Sequence, residues 1–218
     1  MITQLVFHCY ILLLVLLKPA LLFQKINQLP WYQQALRQWL DDLDLPRGAH
    51  VLEAGCGTGN LCAYLDQRGL LPLGADYSPE MLSMAKKNYP QLLYQHCDVT
   101  DMPFAEGRFQ AVICASLINL VTAPQQAVNE LYRVCQPLGD VSILVPLQSF
   151  TEQQFAVLSA QLTLNGFSLA ALNRWHRLAP KKSARSIVQL LQQAGFSKIE
   201  TRLYLGGMVG AFSAKKPS

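Results

Sequence analysis

No Cys-x-x-Cys pair occurs among the six cysteines of this chain, and only four histidines accompany them. Without paired thiolates or a histidine cluster no ligand set has zinc spacing, so no metal site is expected. Cys9, Cys56, Cys62, Cys97, Cys114 and Cys135 are scattered. Several fall in predicted strands or in a glycine-rich turn, where cysteine serves as a small buried hydrophobe. A reducing cytoplasm suits that usage better than a disulfide framework. Charge is sparse as well. Charged residues make up 15% of the chain and hydrophobic ones 51%, which excludes a disordered polymer. The net charge of +4 falls short of the basic stripe of a dedicated nucleic-acid binder and reads as an ordinary surface. Internal repeats, low-complexity tracts and linkers are missing too, and 218 residues suffice for one domain with a sizeable core.

What the chain has in excess sits at its start. Residues 5–23 are almost wholly apolar, broken by His8, Lys18 and Pro19. The run is too interrupted for a transmembrane helix and lacks the basic flank and cleavage site of a signal peptide. Two readings stay open: a buried helix covering the core, or a segment that dips into a membrane surface on its inner face. Residues 33–43 then read as an amphipathic helix with Ala35, Leu36, Trp39, Leu40 and Leu43 on one stripe, so residues 1–45 form an apolar segment plus cap helix ahead of a domain over 46–218.

From there short apolar runs alternate with helical stretches. Strands are expected over 50–54, 71–75, 92–96, 109–115 and 141–146, with helices over 61–68, from Ser78, over 124–135 and over 186–194. Such alternation predicts an α/β fold of Rossmann-like type, a mostly parallel sheet with helices on both faces. Two last strands, over 199–205 and 208–214, flank Gly206-Gly207 and add an antiparallel C-terminal hairpin, making seven strands. Residues 148–182 are helical in pattern and not needed by the sheet. An insertion of this kind makes a lid or substrate wall.

The first strand runs into Gly55-Cys56-Gly57-Thr58-Gly59 and then a helix. Glycines permit a tight turn and close approach of a ligand, and the helix start offers free N–H groups. A dinucleotide turn requires a third glycine or alanine where Asn60 stands, so that match fails. Glu53 would repel a pyrophosphate and suits a ligand with a cationic group. Asp76, at the end of the second strand, lies where an acidic residue reaches ribose hydroxyls. Asp98, after the third, could accept from an adenine amino group while the Val99 N–H meets a ring nitrogen. Three acids at three successive strand ends face the edge of the sheet where ligands bind.

With these residues in view, residues 51–147 resemble the class I S-adenosylmethionine-dependent methyltransferases, the small-molecule type 11 group. The segments VLEAGCGTGN, GADYSPEMLSMAKKN, CDVTDMPFAEGRFQAVICASLINLV and ELYRVCQPLGDVSILVP carry the likeness. It implies S-adenosyl-L-methionine as cofactor. Glu53, Gly55, Cys56, Gly57 and Gly59 would cradle its methionine part, and Asp76 its ribose. Tyr77, Met81, Cys97, Asp98 and Val99 would surround the adenine, and Ala115 and Ser116 would line the methyl-transfer side. Two positions depart from the family pattern: Gln110 replaces the usual aspartate after Phe109, and Asn119-Leu120 replaces a histidine pair, which removes a base there.

The expected activity is in-line methyl transfer to a small, lipophilic acceptor such as a quinone or lipid. Methylation of nucleic-acid or glutamine amino groups uses a D/N-P-P-Y/F motif, and Ser116-Leu117-Ile118-Asn119 stands in its place. His176, in a Trp175-His176-Arg177 patch, and Tyr32 are the candidate bases. For His176 a surface histidine beside a helix is the competing reading; for Tyr32 it is packing of the N-terminal helix on the sheet. Rival functions are a non-catalytic S-adenosylmethionine-binding sensor and a dinucleotide-dependent dehydrogenase.

Overall fold

The computed structural model describes residues 2–218; side chains at 1–5, 8, 15 and 19 lie outside the described set, and with them Leu5, His8 and Pro19 of the apolar run. The sheet has seven strands: β1 (His50–Ala54), β2 (Leu71–Asp76), β3 (Leu93–His96), β4 (Phe109–Ala115), β5 (Cys135–Pro146), β6 (Ser197–Tyr204) and β7 (Val209–Lys215). Their order is β3-β2-β1-β4-β5-β7-β6, with β7 antiparallel to both neighbours and the first five strands parallel. The α/β class and the closing hairpin are as expected. β5 starts six residues before the expected Val141, at Cys135, because the chain extends directly from the helix before it.

Helices cover both faces. Along β4, Val112 and Cys114 face α6 (Pro124–Val134) and α9 (Ala184–Ala194), while Ala111 and Ile113 face α3 (Pro30–Asp41) and α4 (Asn60–Gln67). This alternation is the period of two that a pleated strand imposes. Trp39 on α3 is fully buried, and its indole N–H donates to Ser142 Oγ at 2.8 Å. Ser142 meets Ser213 across β5 and β7 at 2.9 Å, so one buried polar chain pins α3 to the sheet.

The apolar N-terminus forms α1 (Ile2–Leu17) and α2 (Pro19–Asn27), broken at Lys18. The insertion is two helices, α7 (Glu152–Gln161), held by a Thr151–Gln154 capping box, and α8 (Gly166–Leu178). Phe7, Ile11 and Leu14 of α1 pack against Phe167, Ala170 and Ala171 of α8. α1 therefore covers the insertion, not the sheet. Its opposite face leaves Val6, Leu13, Leu16 and Leu17 exposed. Neither reading of this segment stands alone: one stripe is buried and the other is not. Among the described residues no helix is long and apolar enough to cross a membrane.

Candidate active site

The carboxyl ends of β1, β2, β3 and β4 open on a cleft of about 430 Å³. Of the residues singled out from sequence, Gly55, Asp76, Tyr77, Cys97, Asp98 and Val99 line it. The turn after β1 is left-handed at Gly55 (φ 78°), Gly57 (φ 51°) and Gly59 (φ 83°), a conformation that side chains with a Cβ adopt at a cost. A Cβ on Gly57 would meet nothing within 4 Å, whereas one on Gly59 would lie 2.5 Å from the Tyr94 hydroxyl. The first glycine position is a free cradle, the second a packing contact with β3. Cys56 turns away from the cleft into a cluster with Cys62 and Leu82.

Asp76 Oδ2 accepts the Gly57 N–H at 2.8 Å and Oδ1 the Ser78 N–H at 2.9 Å. The acid thus fixes the turn and also starts α5 (Pro79–Asn88), whose N-cap Ser78 accepts from Met81 N. Met81 itself does not line the cleft. Asp98 accepts from Thr100 N and Oγ1, both at 2.8 Å, which holds its carboxyl below the usual carboxylate range. Tyr77 is exposed and stacks on His96 with ring centroids 6.0 Å apart. Ser116 ends β4 at φ 53°, a strained backbone for serine, and its N–H donates to Leu144 O at 2.7 Å.

Glu53 is only 2% exposed. The donors offered to it both come from Cys62, the thiol at 2.9 Å from Oε2 and the backbone amide. Burial, with the Asp76 charge adding to it, pushes its carboxyl up to about 8. A buried acid served by the donors of one cysteine has acceptor capacity to spare for the N–H groups of a cationic ligand.

Tyr32 lies close enough to Glu53 to feel its charge; burial first, and that charge second, push its phenol up to about 12. Such a phenol keeps its proton at neutral pH. It sits in an aromatic group where Trp31 and Trp175 stack at 6.0 Å and the Tyr32 ring meets both edge-on, at 5.8 and 5.4 Å. Trp31 is anchored by its N–H to Ser168 Oγ at 2.8 Å. Tyr32 and Trp175 pack in the same cluster as Ala115.

His176 is not a surface histidine. It is buried between Phe155, stacked at 4.8 Å, and Phe150, with Nε2 3.1 Å from Glu152 Oε1 and Nδ1 without a partner. It faces the insertion's own core and does not line the cleft.

Thr100, Met102, Leu117 and the stretch Leu120–Ala123, from two loops, complete the lining with Ala54 and Ala75 at the strand ends, and none of them was singled out from the sequence. Sequence reasoning also missed Asn27, whose side-chain amide donates to Thr58 Oγ1 at 3.0 Å and brings α2 onto the glycine turn. Loop side chains of this kind carry no periodicity; the apolar run 117–121 after β4 was the one available signal. Asn119, at the family's histidine position, donates to Pro180 O at 3.1 Å and ties that loop to the end of the insertion.

A parallel sheet with strand-end acids around a glycine turn defines a nucleoside-binding α/β enzyme. A model of a methyltransferase domain matches residues 52–143. The chain is 32% identical to the 2-phytyl-1,4-naphtoquinone methyltransferase of Thermosynechococcus vestitus, over 85% of this chain and 87% of that one. It is 29% identical to the demethylmenaquinone methyltransferase of Paenarthrobacter aurescens, over 83% and 77%. The fold matches phosphoethanolamine N-methyltransferase 2 of Haemonchus contortus in complex with S-adenosyl-L-methionine, with a TM-score of 0.64 at 18% identity, covering 85% of this chain and 53% of that one. The chain belongs to the class I S-adenosylmethionine-dependent methyltransferases of the type 11 group. It is an enzyme that uses S-adenosyl-L-methionine, and neither the sensor nor the dehydrogenase reading gains support from these relatives. The residues present fit that cofactor: a buried acid, Glu53, for a cationic end, an open glycine cradle at Gly57, and Asp76 where a ribose would be held.

Proposed function

We propose that this enzyme methylates a quinone-type, lipophilic small molecule at the inner face of a membrane. The observation that carries this reading is the aromatic group Trp31–Tyr32–Trp175, built jointly by the N-terminal helices and the insertion, whose Tyr32 and Trp175 share a hydrophobic cluster with Ala115 at the end of β4. A planar ring is held well by stacked and edge-on aromatic partners. Two relatives bear the names of quinone methyltransferases, which supports the same acceptor class.

Residues 1–45 and 148–182 are the acceptor wall, and 46–218 otherwise the cofactor domain. Glu53 pairs with the cationic methionine end of the cofactor over Gly55 and Gly57, with Cys56 and Gly59 shaping the turn. Asp76 takes the ribose. Tyr77, Cys97, Asp98 and Val99 would enclose the adenine, while Ala115 and Ser116 would line the methyl-transfer side. The cofactor's sulfonium supplies an already activated methyl group. The chain's work is then alignment and exclusion of water. Tyr32, protonated, orients an acceptor oxygen by donating to it.

The test is turnover of S-adenosylmethionine to S-adenosylhomocysteine with 2-alkyl-1,4-naphthoquinols as acceptors. Trp175→Ala should lower kcat/KM for the quinol about tenfold or more while cofactor affinity is unchanged. Absence of quinol turnover, alongside transfer to phosphoethanolamine, would replace the acceptor class.

A further inference from the structure

The helix α1 has two faces of the same apolar character and opposite fates. Phe7, Ile11 and Leu14, at i, i+4 and i+7, are covered by α8. Val6, Leu13, Leu16 and Leu17 turn outward; Leu16 is 79% and Leu17 67% exposed. Leu12, 37% exposed, and Cys9 flank them, so the outward face is continuous and holds no charged side chain among its described residues. Such a patch on a helix end signals an interaction surface.

Charge identifies the occupant. Residues 1–40 contain Lys18, Lys25 and Arg37 and no acidic residue. Residues 148–182, which include α8 beneath α1, contain Arg174, Arg177, Lys181 and Lys182 against one acidic residue, Glu152. Thirteen of the fourteen acidic residues therefore lie in the remainder of the chain, which is net negative although the whole is +4. The helices α1, α2 and α8, which pack together, thus carry cations and no acid, while the one acid of the insertion, Glu152 at the start of α7, lies against His176. Lys18 stands exposed at the end of α1, and Lys25 lies over the Tyr10 ring at 5.9 Å, at the border of the apolar face.

An apolar helix face bordered by cations, with no acid on α1, α2 or α8, is the pattern of a helix lying in the headgroup region of an anionic bilayer. We propose that the outward face of α1 docks this enzyme on an anionic phospholipid surface, with Leu13, Leu16 and Leu17 in the acyl boundary and Lys18 among the headgroups. A second copy of the chain is the competing occupant, and the segregated positive charge disfavours it: two such sets of helices would repel. The proposal gives the lipophilic acceptor a route to the site, yet it is tested without acceptor or cofactor, so either reading can fail alone.

The experiment is flotation of the full chain with phosphatidylcholine vesicles, with and without phosphatidylglycerol. The wild type should float with the anionic vesicles only and be released as salt rises from about 0.1 M to about 0.5 M. Leu13→Ser together with Leu16→Ser should lower the bound fraction about tenfold or more, with circular dichroism and S-adenosylmethionine affinity unchanged. Lys18→Glu, at an exposed position, should lower it several-fold and serves if the double variant fails to fold. Failure to float with anionic vesicles, equal binding by the variants, or a dimer in sedimentation that Leu13→Ser with Leu16→Ser dissociates would overturn the proposal.

Discussion

Asp76 Oδ2 accepts the backbone N–H of Gly57 at 2.8 Å, so the carboxylate that ends β2 holds the turn that ends β1. One side chain thereby ties the proposed ribose position to the proposed methionine cradle. Asp76→Ala should weaken S-adenosylmethionine binding by about 1–3 kcal/mol, the range for losing hydrogen bonds to a charged group. Titration calorimetry measures it, and unchanged affinity would remove Asp76 from the site.

Glu53 links the cofactor site to pH. Its carboxyl is raised by burial from 4.5 to about 8, so between those values the folded chain holds a proton that the unfolded chain has lost. Stability conferred by this protonated acid is therefore full below the lower value and declines as pH rises through the window, by an amount on the order of 5 kcal/mol at most. Glu53→Gln should flatten that decline in urea unfolding between about pH 5 and pH 9. The same variant should bind the cofactor more weakly, since a neutral amide does not pair with a cation. A variant with the wild-type pH slope would show that Glu53 is not the group responsible.

Gly59 is left-handed at φ 83°, and a Cβ there would lie 2.5 Å from the Tyr94 hydroxyl. Gly59→Ala should cost about 1–3 kcal/mol through strain and displacement of that ring. Thermal unfolding would register a fall of several degrees; an unaltered melting point would mean that the turn relaxes freely.

His176 tests the reverse. Its ring is stacked on Phe155, and its buried Nδ1 has no partner. His176→Phe should leave the pH profile of methyl transfer intact and change stability by no more than about 1 kcal/mol, since the phenyl ring keeps the stack and removes an unsatisfied polar atom. Loss of turnover in a folded variant would return His176 to the list of catalytic groups.

The centre of the sheet was legible because its strands are buried on both faces: continuous runs such as Ala111-Val112-Ile113-Cys114 leave a parallel central strand as their natural place. The turn and its acids were legible because positive φ demands glycine and strand ends demand specific positions. What could not be read was direction. The sequence places Trp175 and His176 side by side, but the helix turns Trp175 towards Tyr32 and His176 towards Phe155. The apolar N-terminus was ambiguous for a related reason. Composition cannot distinguish the stripe of α1 that meets α8 from the one that meets nothing, since leucine and phenylalanine suit both.

The attachment of α1 to α8 has a mechanical consequence. Trp175 belongs to α8, and α8 carries α1 on its outer side through Ile11, Leu14 and Ala170. Any displacement of the wall that holds Trp175 must drag α1 along with it. Anchoring the outer helix therefore also restrains the tryptophan, and release or capture of a bulky product becomes tied to what the outer helix touches.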